Sequence, residues 1–302
     1  MPLKSGWTGG QYSCFRALLG LSLLVYFAQL LPWGLELYSN QGALALFQEN
    51  HGSAYFPNVL ALWNNPDFVT AVLVSGMLLG LFLAIGFKDR VAAIGLWYLW
   101  ACLLDRNPFT LNPQIPYIGW LLLAHACLPG APYGSWDARN RPDPGKSWEF
   151  PWPIREAAWW VVGLSYSYSG FYKLLTPDWK NGSALFWILQ HPLSRGNFFC
   201  HVLLALPFPC LTGLTWMAAW LEFLYWPLVI FPRIRPWIWA ATLAAHLCLM
   251  FLMDFFWISW GMILVQFFLF DPAWIKDVVG TGNGNRRDTG QAALKTQKKS
   301  FS

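Results

Sequence analysis

The chain has 302 residues, of which 56% are hydrophobic and only 12% are charged. Soluble domains carry about twice that share of charged residues, so the composition excludes an ordinary water-soluble surface and indicates a membrane protein. The 21 Trp, 11 Tyr and 23 Phe agree with this, because indole and phenol rings favour the membrane interface. The formal charge of +5 does not indicate a nucleic-acid-binding face, because the basic residues flank apolar runs.

Uncharged apolar runs along the chain predict membrane-spanning helices. A helix needs about 20 residues to cross a hydrocarbon layer of roughly 30 Å. The predicted spans are residues 17–35, 68–87, 91–104, 115–128, 157–175 and 211–231, and the two parts of 237–270 on either side of Asp254. We therefore expect an all-α fold, a polytopic integral membrane bundle of about eight transmembrane helices. The third and fourth runs have only 14 residues each, so a re-entrant hairpin with six crossings is the alternative.

The distribution of basic residues predicts the side of the membrane on which each loop lies, because cytoplasmic loops collect Lys and Arg. With eight crossings and both termini cytoplasmic, sixteen of the twenty basic residues are inside, and only Arg106, Lys173, Lys180 and Arg195 are outside. We expect a bacterial inner-membrane protein whose polar site faces the periplasmic side. Residues 1–278 form the predicted transmembrane domain. Residues 279–302, rich in Gly, Asn, Thr and Lys, are expected to be a disordered cytoplasmic tail.

One predicted helix, residues 157–175, carries a polar face that is costly in lipid. Tyr166, Ser169, Gly170 and Lys173 are three or four residues apart, so they share one side of the helix. Such a face lines a cavity or contacts a neighbouring helix. Two interpretations of Lys173 remain open at this point. The side chain either extends its ammonium to the membrane interface or lies buried as a neutral amine that acts as a general base.

Two further polar residues lie within predicted spans. Glu222 is near the middle of residues 211–231, and His246 is about a third of the way into the seventh span. A carboxyl group in mid-span has to be protonated, paired or hydrated, and structural pairing with a Tyr or His is the common arrangement. We predict no metal site, because the six cysteines are scattered singly and no histidine lies at ligand spacing from a carboxylate or cysteine.

A longer pattern surrounds the lysine. Lys173-Leu174 is followed by Pro177-Asp178-Trp179 and Gly182, after the pair Ser169-Gly170. Other matching segments occur in order along the chain: Arg16, Tyr38-Ser39, residues 86–90, Arg106-Asn107-Pro108, Ser135-Trp136-Asp137, Glu222, His246 and Pro272-Ala273-Trp274. In these segments, over roughly residues 12–276, the chain resembles the HTTM (horizontally transferred transmembrane) domain family. That family is the membrane domain shared with vitamin K-dependent gamma-carboxylase.

The resemblance implies a reaction and a set of site residues. In the carboxylase, the matching lysine is regarded as the base that deprotonates reduced vitamin K, and the reaction with oxygen then drives glutamate carboxylation. The implied cofactor is a reduced quinone similar to vitamin K hydroquinone, and the implied activity is lyase-type carbon–carbon chemistry coupled to quinone epoxidation. By resemblance, the candidate catalytic residues are Lys173 and His246. The candidate substrate-binding residues are Tyr166, Ser169, Gly170, Tyr172, Trp179 and Glu222.

The chain differs from the carboxylase at residues 113–116, which read Pro-Gln-Ile-Pro where the carboxylase has an Asn-Asn-His stretch. Two other functions therefore remain open. Stand-alone proteins similar to this family include membrane partners in the maturation, export or immunity of secreted peptides, so the cavity could bind a peptide instead. A proton-coupled transporter would use Glu222 and Asp254 as protonatable groups, although no internal repeat favours transport.

Overall fold

The computed structural model describes residues 6–44 and 56–275. Within those ranges the backbone forms α-helices joined by turns and loops, without a β-strand, so the all-α prediction is confirmed. The fourteen α-helices of the described residues are α1 (Gly9–Leu30), α2 (Gly34–Tyr38), α3 (Val59–Leu62), α4 (Pro66–Ile85), α5 (Asp89–Arg106), α6 (Gln114–Cys127), α7 (Trp152–Leu175), α8 (Pro177–Lys180), α9 (Ala184–Gln190), α10 (Phe198–Leu204), α11 (Phe208–Phe223), α12 (Tyr225–Val229), α13 (Arg235–Leu252) and α14 (Phe256–Leu269). The predicted tail, residues 279–302, lies outside the described residues.

Each predicted span coincides with one of eight long helices, namely α1, α4, α5, α6, α7, α11, α13 and α14. Four of them differ in extent from the prediction. The first both begins and ends earlier, since α1 spans Gly9–Leu30 and the predicted span is residues 17–35. The third is longer, because α5 has 18 residues. The fifth begins earlier, at Trp152, where Pro153 suits the first helical turn. The sixth is divided at Leu224 into α11 and α12, because the ring of Pro227 clashes with the carbonyl four residues earlier, that of Phe223.

The ends of the first two long helices follow from local sequence. Thr8 and Gln11 form a capping box at the start of α1, in which each side chain bonds the backbone of the other. Asn65 caps α4 by accepting from Phe68 N at 2.9 Å. Gly86 ends α4 with φ of 69°, a left-handed conformation that glycine adopts without a steric cost. These signals fix where the two helices begin and where α4 turns back.

The long helices run in alternating directions between two ends of the bundle. At one end, Arg16 in α1 donates to the carbonyl of Ala84 at 2.6 Å, so the start of α1 meets the end of α4. Arg155 at the start of α7 likewise pairs with Asp271, which follows α14, at 2.6 Å. We call this the basic end, because it holds these arginines and Arg235 at the start of α13.

The opposite end holds Lys173, and we call it the Lys173 end. There Arg106, the last residue of α5, donates to the carbonyl of Ser39 at 2.9 Å. Asn107 donates to the carbonyl of Leu37 at 2.9 Å. These bonds join the end of α5 to α2 and the turn after it. Together with the contacts at the basic end, they show that consecutive long helices begin at opposite ends of the bundle.

Glycine lets α1 and α4 pack with their backbones in contact. A Cβ atom at Gly20 would lie 2.3 Å from the backbone nitrogen of Ala84, and one at Gly80 would lie 2.7 Å from that of Leu24. Neither position has room for a side chain. Small residues at helix crossings are typical of membrane bundles, where close backbone packing replaces the hydrophobic effect as the source of association.

Among residues 6–44 and 56–275, three helices are long and apolar enough to cross a membrane: α1, α4 and α13. The pair α10 and α11 qualifies as a fourth span only if its bend of 109° is part of one broken crossing. The remaining long helices fall short in length or in mean hydropathy. Helix α13 is the most exposed of the three, with only 11% of its apolar window buried. Such an exposed apolar helix is compatible with a membrane protein, since water does not favour a large apolar surface.

Candidate functional site

Helix α7 carries the polar face predicted from the sequence. It has 24 residues and ends at Leu175, just before Pro177, which cannot continue the helical hydrogen bonding. Tyr166, Ser169 and Lys173 all make their side-chain contacts with the helices that follow in the chain, α11 and α13. The polar face therefore faces α11 and α13, with Tyr166 and Gly170 buried and Ser169 exposed. The predicted spacing of three and four residues brings these side chains to one side.

Gly170 sets how closely α7 approaches α11. A Cβ atom at this position would lie 2.2 Å from the backbone nitrogen of Phe223 and 2.6 Å from its Cα. Any side chain would therefore force the two helices apart. Because Glu222 precedes Phe223, the close contact at Gly170 also brings the Glu222 carboxylate against the polar face of α7.

The charged part of the site is an ion pair between Lys173 Nζ and Glu222 Oε2. Ser169 Oγ donates to the same carboxylate oxygen at 2.9 Å, and the ammonium lies 5.0 Å from the centre of the Trp179 ring. The two charged side chains are 25% and 22% exposed. Glu222 lies in the last turn of α11, beside the break at Leu224 that divides the predicted sixth span.

The second part of the site lies one to two helical turns from Lys173, towards the middle of the bundle. Tyr166 OH and His246 Nε2 are hydrogen-bonded at 2.5 Å. The Tyr166 ring stacks on that of Tyr225, with ring centroids 4.7 Å apart and planes at 11°. His246 is thus hydrogen-bonded to a tyrosine of α7. Both structural and reactive histidines make such a bond.

Several polar atoms around Tyr166 are buried without a hydrogen-bond partner among the described residues. They include Nδ1 of His246, the hydroxyl of Tyr225, and both the oxygen and the nitrogen of the Gln266 amide. Gln266 and Tyr225 are 0% and 1% exposed. The amide lies close to the hydroxyls of Tyr166 and Tyr225, but without the geometry of a hydrogen bond. Buried groups of this kind usually bond to water or to a ligand.

The sequence interpretation did not include Gln266 in the site. The available signal was its position, because it is the one amide side chain in the otherwise apolar helix α14. A lone amide in such a helix faces the bundle interior when it can, since lipid offers it no hydrogen-bond partner. Position alone would not have shown which helix it faces.

Two other predicted members lie away from this group. Tyr172 is 53% exposed, and its ring contacts Tyr168 at 4.7 Å between centroids, on the outer side of α7. Asp254 lies in the turn between α13 and α14, where it is 77% exposed and 3.5 Å from Arg195. It makes no contact with Glu222, so the two carboxyl groups considered for proton-coupled transport do not share a site.

The other buried histidine belongs to a separate cluster at the basic end. His125 Nδ1 is 2.7 Å from the hydroxyl of Tyr12, and its Nε2 is 3.5 Å from Asp89. This cluster joins α1, α5 and α6, consistent with a structural role. Within residues 6–44 and 56–275, no group of three His, Cys, Asp or Glu side chains could hold a metal ion.

Comparison with known proteins adds nothing to this geometry: no protein-family model, curated protein or solved structure matches the chain. The function has to be argued from the residues themselves. They offer an ammonium and a carboxylate in contact, a hydroxyl fixed on that carboxylate, and a histidine bonded to a buried tyrosine.

We predict that Tyr166→Phe destabilises the protein by about 1–3 kcal/mol, because the change leaves His246 Nε2 buried without its partner. The matched control is Tyr168→Phe, two residues along the same helix and 64% exposed, which should leave stability unchanged. Denaturant unfolding in detergent micelles measures both variants. Equal stability of the two variants would show that the bond between Tyr166 and His246 does not contribute.

Proposed function

We propose that the chain is an HTTM-like membrane enzyme in which Lys173 acts as a general base on a reduced quinone. The observation that carries this proposal is the contact of Lys173 with Glu222, supported by Ser169. A lysine that only extended its ammonium to the membrane interface would need no carboxylate from another helix. It would also need no hydroxyl group that donates to that carboxylate. The same three side chains, held around the close contact at Gly170, suit a proton-transfer site.

The proposed chemistry is a proton transfer to Lys173. A general base has to be a neutral amine, and Glu222 Oε2, in contact with Nζ, is placed to take the ammonium proton. The amine would then accept a proton from a hydroxyl group hydrogen-bonded to Nζ. After that transfer the pair would carry one positive charge beside the anion formed. That charge stabilises the product of the transfer, while Ser169 keeps the Glu222 side chain in position.

The residues around the pair fit a quinone. When bound in its reduced form, a quinone supplies the acidic hydroxyl. His246 Nδ1 is a buried nitrogen without a partner among the described residues, so it can bond an oxygen of a ligand.

We also propose eight crossings, with both termini in the cytoplasm and the Lys173 end on the outer, periplasmic face of a bacterial inner membrane. The alternating direction of the eight long helices supports an even number of crossings. The arginines of the basic end support a cytoplasmic location for it. Helices α6 and α14 have 14 residues each, about 21 Å of helix, so the bilayer has to thin locally or the helix ends have to extend beyond their regular turns.

Cysteine labelling tests this orientation. Asn140 and Asn181 are both exposed asparagines, one in the loop at the basic end and one at the Lys173 end. In a background without native cysteines, Asn181→Cys should react with a membrane-impermeant maleimide in intact cells. Asn140→Cys should react only after permeabilisation. The reverse pattern would overturn the proposed orientation, and labelling of both variants in intact cells would place the two ends on one side.

For the reaction, we predict that Lys173→Ala and Lys173→Arg lower the turnover of a reduced naphthoquinone by a factor of about 10²–10⁴, the usual contribution of a general base. Arginine keeps the positive charge but does not deprotonate, so it should not restore activity. The control is Lys180→Ala, an exposed lysine at the same end, which should leave turnover unchanged. Unchanged turnover in both Lys173 variants would remove this residue from the mechanism.

The second candidate is a non-enzymatic membrane partner that binds a secreted peptide at the same polar face of α7. The ion pair between Lys173 and Glu222 favours a non-enzymatic role, because the same pair would serve as a purely structural link between α7 and α11. A wild-type protein that binds a quinone without turning it over, or that purifies with a bound peptide, would favour this second function.

A further inference from the structure

A second concave site lies at the basic end, at the far end of α7 from Lys173. Helices α7, α12 and α13 surround a cavity of about 270 Å³, close to the lower limit of roughly 300 Å³ for small-molecule pockets. Its walls include Trp152, Trp160 and Trp226 together with Glu156 and Arg235. Neither the proposed reaction nor the resemblance uses these residues.

The polar wall of this cavity is a two-pronged ion pair. Arg235 donates from its two terminal nitrogens to the two Glu156 oxygens at 2.6 and 2.8 Å, and its Nε donates to the carbonyl of Val229 at 2.8 Å. An arginine has five N–H groups, so two remain after these bonds. Each Glu156 oxygen keeps a further lone pair in the same way. The wall is neutral overall, yet it can still bind one negative and one positive group side by side.

The aromatic wall suits a cation and an apolar chain. Trp152 and Trp160 are each 50% exposed, and tryptophan faces attract ammonium groups. From Trp160, a row of half-exposed apolar side chains continues along α7 through Leu164 and Phe171. These residues are spaced by four and seven, so they lie on one side of the helix. The row covers about 17 Å of helix length, comparable to one leaflet of a hydrocarbon layer of roughly 30 Å.

We propose that this cavity binds the headgroup of a zwitterionic phospholipid, with an acyl chain lying along the row from Trp160 to Phe171. The phosphate accepts from the free N–H groups of Arg235, and the ammonium lies between Glu156 and the tryptophan faces. A zwitterion leaves neither member of the ion pair uncompensated. An anionic headgroup would have to share Arg235 with Glu156 and would add an unpaired negative charge.

Native mass spectrometry of the full chain in detergent tests the proposal, with dioleoyl-phosphatidylethanolamine and dioleoyl-phosphatidylglycerol as competing probes. The wild-type protein should retain the zwitterionic lipid in preference to the anionic one. Glu156→Gln leaves Arg235 without its countercharge, so the ratio of the two lipids should shift towards phosphatidylglycerol by about tenfold. Soluble glycerophosphoethanolamine should not compete at the same concentration, because it lacks the acyl chain.

A pair of tryptophan variants tests the same site without touching the ion pair. Trp160→Leu should lower the affinity for phosphatidylethanolamine by about threefold to fivefold, through the loss of an aromatic face. Trp136→Leu is the control, since Trp136 is also at the basic end and 51% exposed but does not line the cavity. An equal effect of the two variants would overturn the proposal, as would an unchanged lipid ratio in Glu156→Gln. Full competition by glycerophosphoethanolamine would overturn the proposal that an acyl chain binds along α7.

Discussion

The close contact between α7 and α11 at Gly170 is the constraint on which the candidate site depends. No side chain fits between Gly170 and the backbone of Phe223. Because the two helices touch there, Ser169 and Lys173 on one side and Glu222 on the other come within bonding distance. Without that glycine, the carboxylate and the ammonium would each lack the partner that makes them tolerable beside lipid.

Helix α7 is tied to its neighbours at both ends by ion pairs. Glu156 pairs with Arg235 at the basic end, and Lys173 pairs with Glu222 at the opposite end. Between them, a Cβ atom at Gly163 would lie 3.1 Å from Val229, so α12 also packs closely against α7. In this arrangement Lys173 and Glu222 are placed on closely packed helices, which fixes the distance between them.

Much of the fold could be predicted from the sequence because the helices are local features. Uncharged runs predicted all eight long helices, and the residue spacing predicted the polar face of α7. Helix breaks were harder: Pro227 divides the sixth helix, although the apolar run continues through it. The number of membrane crossings depends on length and hydropathy together, and only three helices in the described part of the chain satisfy both criteria.

The site could be predicted only where its members share a helix. Glu222 lies 49 positions from Lys173 and Gln266 lies on α14, so their distances from the polar face depend on packing and not on local pattern. For Tyr172, nearness in sequence gave the wrong position. It neighbours the polar face in sequence, but its side chain points outward to Tyr168, because successive helix positions are rotated by about 100°.

A double-mutant cycle on Lys173 and Glu222 tests the central claim most directly. The free energy of unfolding in mixed micelles is measured for the wild type, Lys173→Met, Glu222→Gln and the double variant. If the two side chains act as one unit, each single variant is destabilised, and the double variant loses less than the sum of the two by at least about 0.5 kcal/mol. Additive losses, within about 0.3 kcal/mol, would mean that the two charges are independent and would contradict the account.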